Sequence, residues 1–95
     1  MKIGLDLGTT SLAAVRVDDV TLEVERTLTV PNAGEHGFGP NGAHEQNADA
    51  ILRAAEALIA EISGGSESVE LALTGQMHGV VAVDQDLKPM TELVT

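Results

Sequence analysis

Apolar residues along the chain fall into short runs whose spacing changes once. From Lys2 to Leu7, from Leu12 to Asp18 and from Leu22 to Val30 the period is that of strands. The third run is the clearest, with Leu22, Val24, Arg26, Leu28 and Val30 on one face and Glu23, Glu25, Thr27 and Thr29 on the other. Asp18-Asp19 forms the turn before it, and Pro31, which cannot donate to a ladder, ends it. A Gly-rich loop of about fifteen residues is expected next. The period then becomes helical: Ile51, Leu52, Ala55, Leu58, Ile59 and Ile62 recur on one face, Asn47 is the expected N-cap, Asp49 suits the positive end of the dipole, and Gly64-Gly65 stops the helix. Ser68 to Thr74 reads as a fourth strand, reached through a helix and therefore expected parallel to the first. Val80 to Val83 and Met90 to Val94 flank Asp84-Gln85-Asp86-Leu87-Lys88-Pro89 as a further hairpin.

Composition narrows the function. Fifteen acidic against five basic residues give a formal charge of −10, which argues against nucleic acid and anionic membranes as partners. No cysteine is present, so a disulfide framework, a thiol nucleophile and a thiolate metal site are excluded. The first residues run straight into a strand with no apolar leader, and the cytoplasm is the expected location. With 95 residues and Phe38 as the single aromatic side chain, the core must come from Leu, Val, Ile and Ala, and modest stability is expected.

Candidate chemistry begins at Ile3-Gly4-Leu5-Asp6-Leu7-Gly8-Thr9-Thr10-Ser11. A carboxylate at the end of an apolar strand precedes a tight turn of Gly and hydroxyl residues, where consecutive N–H groups suit phosphoryl oxygens and Asp6 suits Mg²⁺. A plain hairpin turn would use the same residues. Leu73-Thr74-Gly75-Gln76-Met77-His78-Gly79 is the second candidate, since small residues at a strand end let a ligand approach the backbone. Other patterns are set aside. Gly37-Phe38-Gly39-Pro40-Asn41-Gly42 spells a dinucleotide fingerprint, but no helix begins at its last Gly. His36, His44 and His78 lack metal-motif spacing, and Asp84-Gln85-Asp86 opens like a calcium loop without the Gly and Glu that complete one.

The first motif resembles the phosphate-binding turn of the actin-like ATPases, and Gly75 to Gly79 is similar to the sugar-binding segment of the FGGY carbohydrate kinases of xylulokinase and sedoheptulokinase type. His44-Glu45-Gln46-Asn47 resembles their Glu-Gln-Asp-Pro segment with Asn47 for Asp and Ala48 for Pro, and Leu93-Val94-Thr95 resembles a strand that leads into Trp-Gln-Asp in those enzymes. The element order, three meandering strands, a helix and a returning strand, is the opening half of a ribonuclease H-like α/β layer.

The resemblance implies ATP-dependent phosphorylation of a ketose sugar. Asp6 would organise Mg²⁺; Gly8, Thr9, Thr10 and Ser11 would receive the phosphates of ATP; Gln76, Met77 and His78 would hold the sugar. It also implies that residues 1–95 are an incomplete N-terminal part of the first kinase domain, with the rest of that domain, the whole second domain and the catalytic base absent, and that the chain alone is inactive and prone to self-association. One departure stands out: the family commonly carries Lys or Arg two residues after Ser11, and this chain has Ala13. Two alternatives follow, a non-catalytic sugar- or nucleotide-binding relative and a self-standing interaction domain.

Overall fold

The computed structural model describes residues 1–38, 44–66, 68–76 and 79–94, and of 35–38 the backbone alone. The elements are β1 (Lys2–Leu7), β2 (Ser11–Val17), β3 (Val24–Pro31), β4 (Glu35–Phe38), β5 (His44–Gln46), α1 (Ala48–Ser63), β6 (Glu70–Gly75) and β7 (Leu93–Val94). One sheet has the order β3-β2-β1-β6, with β1 antiparallel to β2 and parallel to β6; a second, small sheet has the order β4-β5-β7.

Register decides what each face carries. Ile3, Leu5, Leu12 and Ala14 fall on one face and meet Ile51, Ala55, Leu58 and Ile62 of α1, forming the buried core. Each fully buried Leu or Ile of this set contributes about 1.5–3 kcal/mol relative to exposure. The helix packs on β1, β2 and β3. It leaves the edge strand uncovered: Leu71 and Leu73 share the register of Ile3 and Leu5, yet are 45% and 62% exposed.

Both ends of α1 are held from outside it. Asn47 Oδ1 accepts from the Ala50 N–H at 3.0 Å, the expected N-cap, and Gly64 stops the helix in the left-handed region at φ 65°. The last turn has no basic residue of its own. Two sheet arginines replace one: Arg16 Nη1 donates to the Ile62 carbonyl at 2.8 Å and Arg26 Nη1 to the Glu61 carbonyl at 3.1 Å, where helix-end carbonyls lack partners. The same Arg16 faces Glu25 at 3.5 Å. At the same end of the sheet Lys2 pairs with Glu70, which hydrogen-bonds it and holds its ammonium pKa above the usual value.

Several expectations need correction. Leu22 does not begin the third strand: it sits at φ 61° in a turn organised by Asp18, whose Oδ1 accepts from the N–H groups of Val20 and Thr21, and a register shift at Arg16/Val17 leaves Leu22 and Val24 exposed. Those bonds favour the Asp18 carboxylate and lower its pKa. The Gly-rich segment expected as loop contains β4 and β5, which pair antiparallel; its alternation is too short to register as strand. Leu52, assigned to the buried helix face, is 57% exposed. The late hairpin forms where expected, with the Asp84 N–H donating to the Lys88 carbonyl at 2.9 Å and antiparallel bridges at Val83–Pro89 and Val80–Val94; the end of its return arm, β7, also pairs with β5 on its other side. No helix among the described residues is long and apolar enough to cross a membrane.

Gly34 joins the two sheets. Its N–H donates to Asn32 Oδ1, its carbonyl accepts from the Asn47 N–H, and a Cβ there would overlap the Asn47 carbonyl oxygen and lie 2.7 Å from Ile51 Cγ1. Because one obstacle is backbone, relief requires moving the start of α1. Gly34→Ala is expected to cost about 1–3 kcal/mol or more in denaturant unfolding; a loss below about 0.5 kcal/mol would show that the approach relaxes freely.

Candidate functional site

Parallel pairing of β1 with β6 sets the C-terminal ends of the two strands side by side, Leu7 opposite Gly75. The chain leaving β1 makes the turn Gly8-Thr9-Thr10, and the chain leaving β6 enters Gln76, whose N–H donates to the Leu7 carbonyl at 3.1 Å. The two motifs singled out in the sequence therefore meet. Met77 and His78 lie outside the described residues.

Beneath the turn is a cluster of side-chain amides. Asn32 is 5% exposed and Gln46 0%. Asn32 Nδ2 donates to the Gly8 carbonyl at 3.0 Å and the Thr9 carbonyl at 3.2 Å; Gln46 Nε2 donates to the Thr9 carbonyl at 3.1 Å; and the Asn32 backbone N–H donates to the Thr10 carbonyl at 3.0 Å. Carbonyls only accept, so the amide groups facing them must be NH₂, which turns Gln46 Oε1 toward Gln76 Nε2 at 2.7 Å. Gln76 Nε2 also lies 3.5 Å from the Gly8 carbonyl.

Carbonyl direction fixes the opposite side of each peptide. In a trans peptide the N–H points away from the preceding C=O, and the described residues contain no cis bond. With the Gly8 and Thr9 carbonyls drawn inward, the N–H groups of Thr9 and Thr10 point outward, and among the described residues neither donates to a protein acceptor. Thr9 and Thr10 are exposed and Ser11 is half-buried. Successive outward N–H groups beside hydroxyls are a donor set suited to an anion. Gly8 is required for space: its φ is not in the left-handed region, but a Cβ there would stand 2.6 Å from the Ser11 carbonyl oxygen.

Asp6 lies on the sheet face away from α1, exposed, with its Oδ2 4.0 Å from the position a Gly8 Cβ would take. Register places Thr29, Ala13, Asp6 and Thr74 in one row across β3, β2, β1 and β6. Ala13 is thus the direct cross-strand neighbour of Asp6, and a basic residue at this position would stand beside its carboxylate. Arg16 does not substitute, since it is held at the far end of the sheet on α1. Among the described residues no group of three or more His, Cys, Asp or Glu gathers as a metal cage. One carboxylate with neighbouring hydroxyls fits Mg²⁺ shared with phosphate oxygens and water.

Across residues 1–95 the chain matches the FGGY family of carbohydrate kinases, N-terminal domain. The chain belongs to this carbohydrate kinase family. Among solved structures it is similar to a xylulose kinase from Rhodospirillum rubrum (26% identity, TM-score 0.76, 97% of this chain and 19% of that one). It is also similar to a ligand-bound xylulose kinase from Lactobacillus acidophilus (20%, 0.80, 99% and 19%) and to Plasmodium falciparum glycerol kinase with ADP (20%, 0.75, 99% and 20%). No curated protein sequence matches it. The fold is the actin-like ATPase arrangement expected, and the chain spans about a fifth of the length of these kinases.

Asn32 was not singled out in the sequence, and Gln46 was noted only for its resemblance to a family segment. The available signal was polar: amides flanking a short Gly-rich segment, where buried amides must find partners.

Gly8 follows β1 and Gly75 ends β6 at the same end of the sheet, but the two differ in the space around them. Gly8→Ala is expected to lower unfolding stability by about 1–3 kcal/mol because its obstacle is backbone. Gly75→Ala, whose Cβ would meet Leu7 Cβ at an ordinary 3.5 Å, is expected to cost less than about 0.5 kcal/mol. Equal losses in paired denaturant titrations would remove the spatial explanation for Gly8.

Proposed function

We propose that the chain is the N-terminal part of an ATP-dependent ketose kinase, acting on a sugar of the D-xylulose or sedoheptulose type and working in the cytoplasm. The observation that carries the reading is the contact of Gln76 with the Gly8 carbonyl, which sets the start of the sugar-like segment beside an anion-ready turn. The xylulose kinase from Rhodospirillum rubrum, 26% identical over 97% of this chain, supports the substrate class.

In this reading Thr9 and Thr10 N–H groups, with the hydroxyls of Thr9, Thr10 and Ser11, receive the phosphates of ATP, while Gly8 allows the tight approach. Asp6 would hold Mg²⁺ directly or through its waters, and the cation would supply neutralisation of phosphate charge. Gln76, Met77 and His78 orient the ketose. Gln76 does so through Oε1, because its Nε2 is engaged by Gln46. Phosphoryl transfer is largely positioning and charge stabilisation. The base that takes the sugar hydroxyl proton and the adenine pocket come from the remainder of the kinase, so residues 1–95 alone do not turn over.

A second reading, a non-catalytic sugar- or nucleotide-binding relative, rests on Ala13 beside Asp6. It leaves the phosphate site without a cation at that position, which a chain of charge −10 can ill spare. Sugar-dependent ADP formation by the whole protein separates the two.

In the whole kinase, His78→Ala should weaken ketose-dependent kcat/KM by about 1–3 kcal/mol, the cost of an unpaired partner in a buried contact. Asp6→Asn should leave ketose binding near normal while turnover falls by about 3 kcal/mol or more through loss of the charge that organises the cation. Steady-state kinetics on both variants check the split; unchanged kinetics of His78→Ala with every ketose tried would remove that residue from the sugar site.

The isolated chain leaves Leu71, Leu73, Val80 and Met90 exposed, together with an edge of β6 that has no partner strand among the described residues. Its sedimentation is expected to depend on concentration. A sharp melt and a monomer mass that hold across a hundred-fold concentration range would contradict this.

A further inference from the structure

The residue that touches both halves of the site is Gln46, which belongs to neither motif. Its side chain is fully buried, so both ends of the amide need partners of fixed polarity. Nε2 donates to the Thr9 carbonyl at 3.1 Å, and Oε1 accepts from Gln76 Nε2 at 2.7 Å and lies 3.5 Å from Asn32 Nδ2. The amide thus lies in series between the peptide that aims the Thr10 N–H and the residue that opens the second segment. Backbone constrains it as well, because Gln46 pairs with Glu35 in β4 and with Leu93 in β7, next to the N-cap of α1.

We propose that Gln46 is a positioning residue that couples the phosphate turn to the strand end at Gln76, so that nucleotide and ketose each alter the other's affinity through one buried amide. Resting on the kinase reading above, the proposal adds a dependence between the two halves of the site. The mechanism is local. A ligand that draws on Gln76 Oε1 shifts its Nε2, which Gln46 Oε1 follows; Gln46 Nε2 then moves on the Thr9 carbonyl and re-aims the Thr10 N–H on the far side of the same peptide. Binding free energies make the effect reciprocal.

The test uses the whole kinase, with Mg·ADP and D-xylulose as probes. In the native protein, D-xylulose is expected to change the Kd of Mg·ADP about five-fold, with Mg·ADP changing the Kd of D-xylulose by the same factor. Gln46→Glu keeps size and the acceptor toward Gln76 but sets an oxygen against the Thr9 carbonyl; Gln46→Met keeps the approximate length without polarity. Both are expected to weaken Mg·ADP about ten-fold or more and bring the mutual effect close to one, measured by calorimetry on protein shown to be folded by circular dichroism. A merely structural amide would lower the melting temperature while leaving both Kd values and their coupling intact, and that result overturns the inference alone. Should neither variant fold, the native protein decides: the Gln46 side-chain amide signals in nuclear magnetic resonance spectra must move on adding either probe, and signals insensitive to either one overturn the proposal. A native kinase that binds no Mg·ADP removes the proposed function and this inference together.

Discussion

Parallel pairing between β1 and β6 is the constraint from which the site follows. Parallel strands cannot be joined by a tight turn, so the chain must cross over, and α1 makes that crossing. Crossing over the sheet brings the chain back in the same direction, and two segments far apart in sequence emerge at one edge: Gly8-Thr9-Thr10 from β1 and Gln76 from β6. Placement of ligand-facing turns at the carboxyl ends of adjacent strands is the general outcome in sheets of this kind. Here the crossover does more than connect. Its N-cap, Asn47, takes its backbone bond from Gly34, and Gly34 is held by Asn32, whose amide grips the turn.

Charge is distributed against intuition for the phosphate-binding role proposed. Lys2, Arg16 and Arg26 pair with Glu70 or stabilise the last carbonyls of α1, all at the opposite end of the sheet. The turn at Gly8-Thr9-Thr10 is held instead by neutral amides, which fix its peptide dipoles. A neutral cluster costs little to bury once satisfied, whereas a buried cation would carry a desolvation penalty of several kcal/mol. Ala13 is in keeping with this, since a small residue beside Asp6 leaves the carboxylate open to solvent.

Long, regular signals in the sequence proved legible. The alternation of Leu28 and Val30, the helical stripe of Ile51, Ala55, Leu58 and Ile62, and the glycines that end the helix each follow from local geometry. The turn after β1 and the strand end before Gln76 were readable as structure because turn chemistry is local too. Asn32 and Gln46 were not, because their roles come from contacts made across the fold, Asn32 reaching back to Gly8 and Gln46 to Thr9. The small β4-β5-β7 sheet was hidden for a related reason: strands of two to four residues carry too little pattern to separate from loop, and pairing alone defines them. Leu22 misled through composition, since an apolar residue in a left-handed turn looks like the start of a strand.

Dimensions give the uncovered leucines of β6 a further meaning. Strands lie about 4.8 Å apart and a helix with its side chains is about 10 Å across, so one helix shields between two and three strands. The four-stranded sheet is roughly two helix diameters wide by the same spacing. The helix α1 is seated over β1, β2 and β3, which leaves a strip one strand wide, about half a helix diameter, along Leu71 and Leu73. That strip is too narrow to seat a whole helix by itself, so anything that covers Leu71 and Leu73 must overhang the edge of β6 beside which Gln76 emerges.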